Sequence, residues 1–155
     1  MTRINLLHPS HLTKRHLIAE WKEITQISHL VKKRVDENHP MNDLPPKYTL
    51  NGGHIKFFMN KGKYIHERFL SLADELIARQ VNIDYNNFLS RLNRIRGAYS
   101  PALFNDYQPD KEAYQILIDR IASRILQKPR LYPDSNRFFD SIPIYLGDAY
   151  ALNIA

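Results

Sequence analysis

Apolar residues recur at helical spacing in three stretches of the chain. At about 100° per residue, Leu17, Trp21, Ile24, Ser28, Val31 and Val35 share one narrow stripe. This predicts a first helix, capped by Ser10 or Thr13 and running to about residue 37. His16, Glu20, Glu23 and Ile27 line up on its flank, beside the stripe and away from the wettest side. A second helix is expected over residues 63–80, with Ile65, Phe69, Leu72, Ala73 and Leu76 buried and the opposite face charged. A third follows Pro109, with Asp110 as its cap, and runs to about residue 126 on a stripe of Tyr114, Leu117, Ile118, Ile121 and Ile125.

The stretches between are less regular. Residues 38–47, NHPMNDLPPK, form a polar loop with three prolines that ends the first helix. Gly52 and Gly53 then permit close backbone approach, either in a plain turn or against DNA or the N-terminal segment. His54 reads as a structural histidine, and Phe57 and Phe58 as core. Residues 81–109 are the least periodic and hold Arg91, Arg94 and Arg96 near Tyr99, either as a short solvated helix or as an extra phosphate contact. The pattern predicts an all-α fold: a compact single domain of three main helices with irregular loops, and the N-terminal segment packed between helices.

Composition narrows the function. A chain of 155 residues with 43% hydrophobic content supports one real core. No apolar run approaches bilayer length, and the polar, basic start lacks the apolar centre of a signal peptide. The expected setting is the cytoplasm, with no membrane partner. Without cysteine there is no disulfide framework and no thiolate metal site.

The net charge is +6, and residues 130–155 carry two bases against three acids, so residues 1–129 hold +7. A basic body of this size suits a polyanion. The bases are interleaved with acids and not gathered on one amphipathic helix, which favours nucleic acid over an anionic membrane.

The first 34 residues concentrate the candidate chemistry. Thr2 follows the methionine, Arg3 is already a cation, and the helix behind them mixes His16, Glu20 and Glu23 with bases. Periodicity alone reads that flank as a surface with ordinary i, i+4 charge pairs. Carboxylates at such a boundary are also partly desolvated, so neighbours can tune them. An α-amine, with an ordinary pKa of about 7.7–8.0, stays partly neutral at pH 7, whereas a lysine at about 10.4 does not. Cations such as Arg3 and Lys22 favour the neutral amine further.

Three motifs in order, MTRINL at residues 1–6, HLIAEWKEI at 16–24 and YTLNGGHIKFFMNKGK at 48–63, resemble the pyrimidine dimer DNA glycosylase/AP-lyase family of the phage endonuclease V type. The resemblance covers about residues 1–132, leaving 133–155 as a divergent C-terminal tail packed on the same domain. It implies an all-helical DNA-repair enzyme that acts on damaged duplex DNA as a monomer without a cofactor. It also implies a kinked duplex in which the base opposite the lesion is turned out.

Carried onto this chain, the α-amine of Thr2, exposed once methionine is removed, is the nucleophile, and Glu23 serves the elimination step. Arg3, His16 and Glu20 match the family pattern. Lys22 stands where the family has arginine, keeping charge but losing a bidentate fork, and Gln26 replaces a family arginine outright. Arg120 and Arg124 match two basic positions of the third helix and read as phosphate clamps. Of the aromatic cluster that follows the family's proline, Tyr132 alone stands in place here, with Phe138, Phe139 and Tyr145 further on.

Three alternatives stay open. The chain is an AP lyase without dimer glycosylase activity, a catalytically idle DNA-binding relative, or a metal-dependent nuclease built on His16, Glu20, Glu23 and His54.

Overall fold

The computed structural model of the chain describes residues 4–154. Among them the architecture is all-helical, with a single isolated antiparallel bridge between Lys61 and Phe104 in place of any sheet. Thr2 and Arg3 lie outside the described residues.

Helix α1 (Lys14–Glu23) begins where Thr13 accepts the amide hydrogen of His16, so Thr13 and not Ser10 is the cap. α2 (Thr25–Asp36) follows after an interruption at Ile24, which keeps helical dihedrals. The single helix expected to residue 37 is therefore two segments. Val31 and Ser28 stay buried along α2, while Val35 at its end is exposed. Asn38, at φ 55°, reverses the chain just past α2, a left-handed conformation that asparagine tolerates well.

Gly53, at φ 100°, starts the short α3 (His54–Phe58). That dihedral is strained for any residue with a Cβ, so the second glycine of the Gly52–Gly53 pair has a backbone reason. α4 (Gly62–Ala78) buries Ile65, Phe69, Leu72, Ala73 and Leu76, the predicted stripe. α6 (Lys111–Gln127) is capped by Asp110, which accepts from the Ala113 amide at 2.8 Å, and it buries Leu117, Ile118, Ile121 and Ile125.

Between these two lies the largest departure from the sequence pattern. Residues 85–98 form a further long helix, α5 (Tyr85–Ala98), capped by Asp84 through the Asn87 amide at 2.9 Å. It packs along α2 and buries Leu92, Ile95 and Ala98. Arg91 is buried with them, its guanidinium 4.3 Å from the Trp21 ring centre and bonded to the Trp21 carbonyl. Arg91 is thus held inside the fold and is neither part of a solvated face nor a phosphate contact. "Three main helices" undercounts the bundle because asparagines, arginines and Gly97 dilute the apolar spacing of α5.

The tail continues the packing through α7 (Asn136–Phe139) and α8 (Ile142–Leu146), which bury Phe138, Ile142 and Leu146. The N-terminal segment runs through the interior, with Ile4, Asn5, Leu6 and Leu7 all buried. No helix among the described residues is long and apolar enough to cross a membrane.

Candidate nucleic-acid interface and active site

Residues 4–8 have no helix or sheet to satisfy their backbone, so side chains from the rest of the fold do so. The Ile4 amide donates to His54 Nε2 at 2.8 Å, and the Asn5 carbonyl accepts from the Tyr64 hydroxyl at 3.2 Å. The Leu7 carbonyl accepts from Arg68, and the His8 amide donates to the Tyr145 hydroxyl at 2.8 Å. Arg79 holds the turn that follows through the carbonyls of Pro9 at 3.1 Å and Leu12 at 2.8 Å.

Glu20 joins this harness to α1. Its carboxylate takes a bidentate pair from Arg68, Nε at 2.8 Å and Nη2 at 2.9 Å, and a third bond from Asn5 Nδ2 at 2.9 Å. The Glu20 side chain has no exposed surface and that of Arg68 is 6% exposed. Burial opposes the Arg68 charge, but the Glu20 carboxylate outweighs it and holds the guanidinium protonated well beyond its ordinary range. Removing either partner from such a pair strands a buried charge, at a cost of about 3–5 kcal/mol. Glu20 is therefore a structural anchor, and the boundary position expected for it is corrected: α4 and the N-terminal segment cover that flank of α1.

Glu23, three residues on, has a different environment. It is half-buried at the edge of an open groove of about 710 Å³. Lys14, Arg15, Ile18, Lys22 and Glu23 form one wall, and Leu131, Pro133 and Asp134 the other. Among the described residues no hydrogen bond or ion pair engages its carboxylate. Asp134 Oδ2 accepts from the Lys14 amide at 2.7 Å, tying the tail to the start of α1.

Above the same wall His16 stacks on Tyr132, ring centres 5.0 Å apart and planes within 12°, with the Arg15 guanidinium 6.0 Å from the Tyr132 ring. The His16 Nδ1 sits 2.7 Å from the Thr13 hydroxyl. Two residues singled out 116 positions apart in sequence are thus one unit, beside exposed cations suited to phosphate.

The remaining candidates are more scattered. Gln26 is exposed at the start of α2. Arg120 Nη2 donates to Asn51 Oδ1 at 3.3 Å, beside the Gly52–Gly53 turn, and Arg124 is exposed one turn later. Neither arginine lines the groove. A metal centre built on the four residues suggested by sequence loses two donors: Glu20 is saturated by Arg68 and Asn5, and both His54 nitrogens are engaged. No cluster of three or more His, Cys, Asp or Glu able to hold a metal occurs among the described residues.

The roles of Arg68 and Asn5 follow from the fold and not from residue order. Arg68 did leave a trace, as a charged residue three positions after Ile65 and four before Leu72, inside the apolar stripe of α4.

Among the described residues the site thus combines an all-helical body, a buried N-terminal segment bonded to the flank of α1, and a cation-lined groove with the Glu23 carboxylate at its edge. A family model described as pyrimidine dimer DNA glycosylase matches residues 1–88, more than half of the chain. The chain belongs to that family, a DNA-repair class whose substrate is DNA. The match ends within α5, so Arg120, Arg124 and Tyr132 lie beyond it.

Proposed function

We propose that the protein excises and cleaves at damaged nucleotides in duplex DNA, with the α-amine of Thr2 as nucleophile and Glu23 as the acid–base group. The observation that carries this reading is the Asn5–Glu20 bond. It docks the terminal segment on α1 one turn before Glu23, about 4.5 Å along the helix axis. This docking supports an approach of the terminal amine to the Glu23 carboxylate, which no hydrogen bond or ion pair engages among the described residues.

In the reaction the amine lone pair attacks the sugar C1′. On an abasic sugar, water leaves and an imine forms. On a nucleotide, the base departs with the C1′–N electron pair, and the ring then opens to the same imine. The imine acidifies the C2′ proton, Glu23 takes it, and the 3′-phosphate leaves as the C2′–C3′ double bond forms. Water hydrolyses the imine and restores the amine. Lys14, Arg15, Lys22, Arg120 and Arg124 supply phosphate contacts, and His16 with Tyr132 offers a stacking surface for a displaced base.

Borohydride trapping on an abasic duplex and on a cyclobutane-dimer duplex, each with EDTA, tests the reading. A covalent adduct with both is expected, formed on the residue-2 amine; an adduct-free protein that still binds DNA overturns it. A second reading, lyase without dimer excision, is favoured by one specific observation. Leu131 and Pro133 line the groove where aromatic rings would be expected, and Phe138 is turned into the core. Trapping on the abasic duplex alone selects it.

A further inference from the structure

His54 is 3% exposed, and both of its ring nitrogens are committed. Nδ1 lies 2.8 Å from the Thr49 carbonyl oxygen. A carbonyl can only accept, so Nδ1 carries the proton. Nε2 is then the bare acceptor, and it receives the Ile4 amide hydrogen at 2.8 Å. The tautomer is set by one bond so that the other can form, which requires a neutral ring. Tyr48 and Phe58 meet the imidazole edge-on at 5.6 and 5.4 Å and fix its plane, and Gly53 at φ 100° brings it to the start of α3.

The Ile4 amide is the first anchored group of the terminal segment among the described residues. Covalent geometry limits the two residues from Ile4 to Thr2 to a reach of about 7 Å. A group that fixes this amide therefore bears on where a reacting terminal amine is delivered. Tyr48 reaches the same residue from the other side of its peptide, its hydroxyl donating to the Ile4 carbonyl at a long 3.5 Å, while Tyr64, Arg68 and Tyr145 act further along, at residues 5, 7 and 8.

We infer that His54 is a positioning residue for the reaction, holding the Ile4 amide so that the terminal amine is delivered to the sugar beside Glu23. This rests on the amine being the nucleophile. Displacements of about 1 Å at a reacting centre cost up to about 10²-fold in rate, so loss of this clamp reaches the chemistry without touching DNA.

Two substitutions separate positioning from mere folding. His54→Asn keeps a donor where Nδ1 stands, for Thr49, but falls short of Ile4. His54→Gln puts an amide oxygen where Nε2 stands and keeps the acceptor. For the unaltered protein and both variants, the measurements are single-turnover borohydride trapping on an abasic duplex, equilibrium binding to that duplex, hydrogen exchange at the Ile4 amide, and thermal unfolding.

The expected result is trapping slowed by about 10- to 10²-fold in His54→Asn, with DNA affinity within about twofold, faster Ile4 exchange, and most of the rate restored in His54→Gln. Undiminished trapping in His54→Asn despite fast Ile4 exchange overturns the positioning role alone. Equal losses in both variants, following their losses in melting temperature, also overturn it, since the ring then serves only the fold. An unaltered protein that gives no adduct overturns the amine reading, and this inference with it.

Discussion

Glu20 and Glu23 occupy one flank of one helix, and their surroundings divide their work. Glu20 lies under α4, where Arg68 and Asn5 saturate its oxygens. Glu23 lines the groove, and among the described residues no hydrogen bond or ion pair engages its carboxylate. Helical arithmetic placed both on the same flank but could not tell them apart, because their difference comes from Arg68, 48 residues away. Two predictions belong at this scale. Glu23→Gln is expected to leave DNA binding and imine trapping intact while slowing strand cleavage by about 10²–10⁴-fold; gel assays of trapped and cleaved product separate the two steps. Arg68→Met is expected to lower unfolding free energy by about 3–5 kcal/mol, read as a fall in urea midpoint at unchanged slope. A loss under 1 kcal/mol would remove the pair from its anchoring role.

At the scale of elements, α4 and α6 were legible because each has a clean stripe, and α6 also has an acidic cap directly before it. α5 was not, since Arg91 lies on its inner face, where burial is made possible by the Trp21 ring and carbonyl. A lone arginine in a weak pattern reads as solvated until its cage is known. The apolar stripe of the first helix runs through Ile24 without a break, and the interruption there has no marker in residue type. The seam between α4 and α5 carries its own test. A Cβ built on Gly62 would stand 2.4 Å from Tyr99 Cγ, well inside contact distance, and Tyr99 is buried. Gly62→Ala is therefore expected to destabilise by about 1–3 kcal/mol through overpacking. The same change at Gly97, where nothing lies within 4 Å, should not; paired thermal melts make the comparison.

For the molecule as a whole, the tail and the charge distribution matter most. Residues 133–155 insert Phe138, Ile142 and Leu146 into the core, and full burial of such side chains is worth about 1.5–3 kcal/mol each. Their sum rivals the entire stability of a domain, about 5–15 kcal/mol. A chain ending at Tyr132 is thus expected to lose its cooperative melt, and a sharp transition in its calorimetric trace would show the tail to be dispensable. Residues 1–129 carry +7 and the family acts on DNA, so binding should weaken steeply with salt. Arg120→Ala is expected to lessen that salt slope by about one and to reduce affinity alike for all duplex sequences. A sequence-dependent loss in titrations would reassign this arginine from phosphate to base.

Residue order alone determined the helical class, the Asp110 cap, the basic character, the family, and the candidate pair Thr2 and Glu23, because these depend on local periodicity, composition and motifs. Tertiary structure alone decided which carboxylate is a buried anchor and which lines the groove. It also brought His16 against Tyr132, caged Arg91, and set His54 as the acceptor for the terminal segment. Each of these depends on a partner tens of residues distant, and a side chain's solvation and bonding are properties of the assembled neighbourhood, which no local pattern encodes.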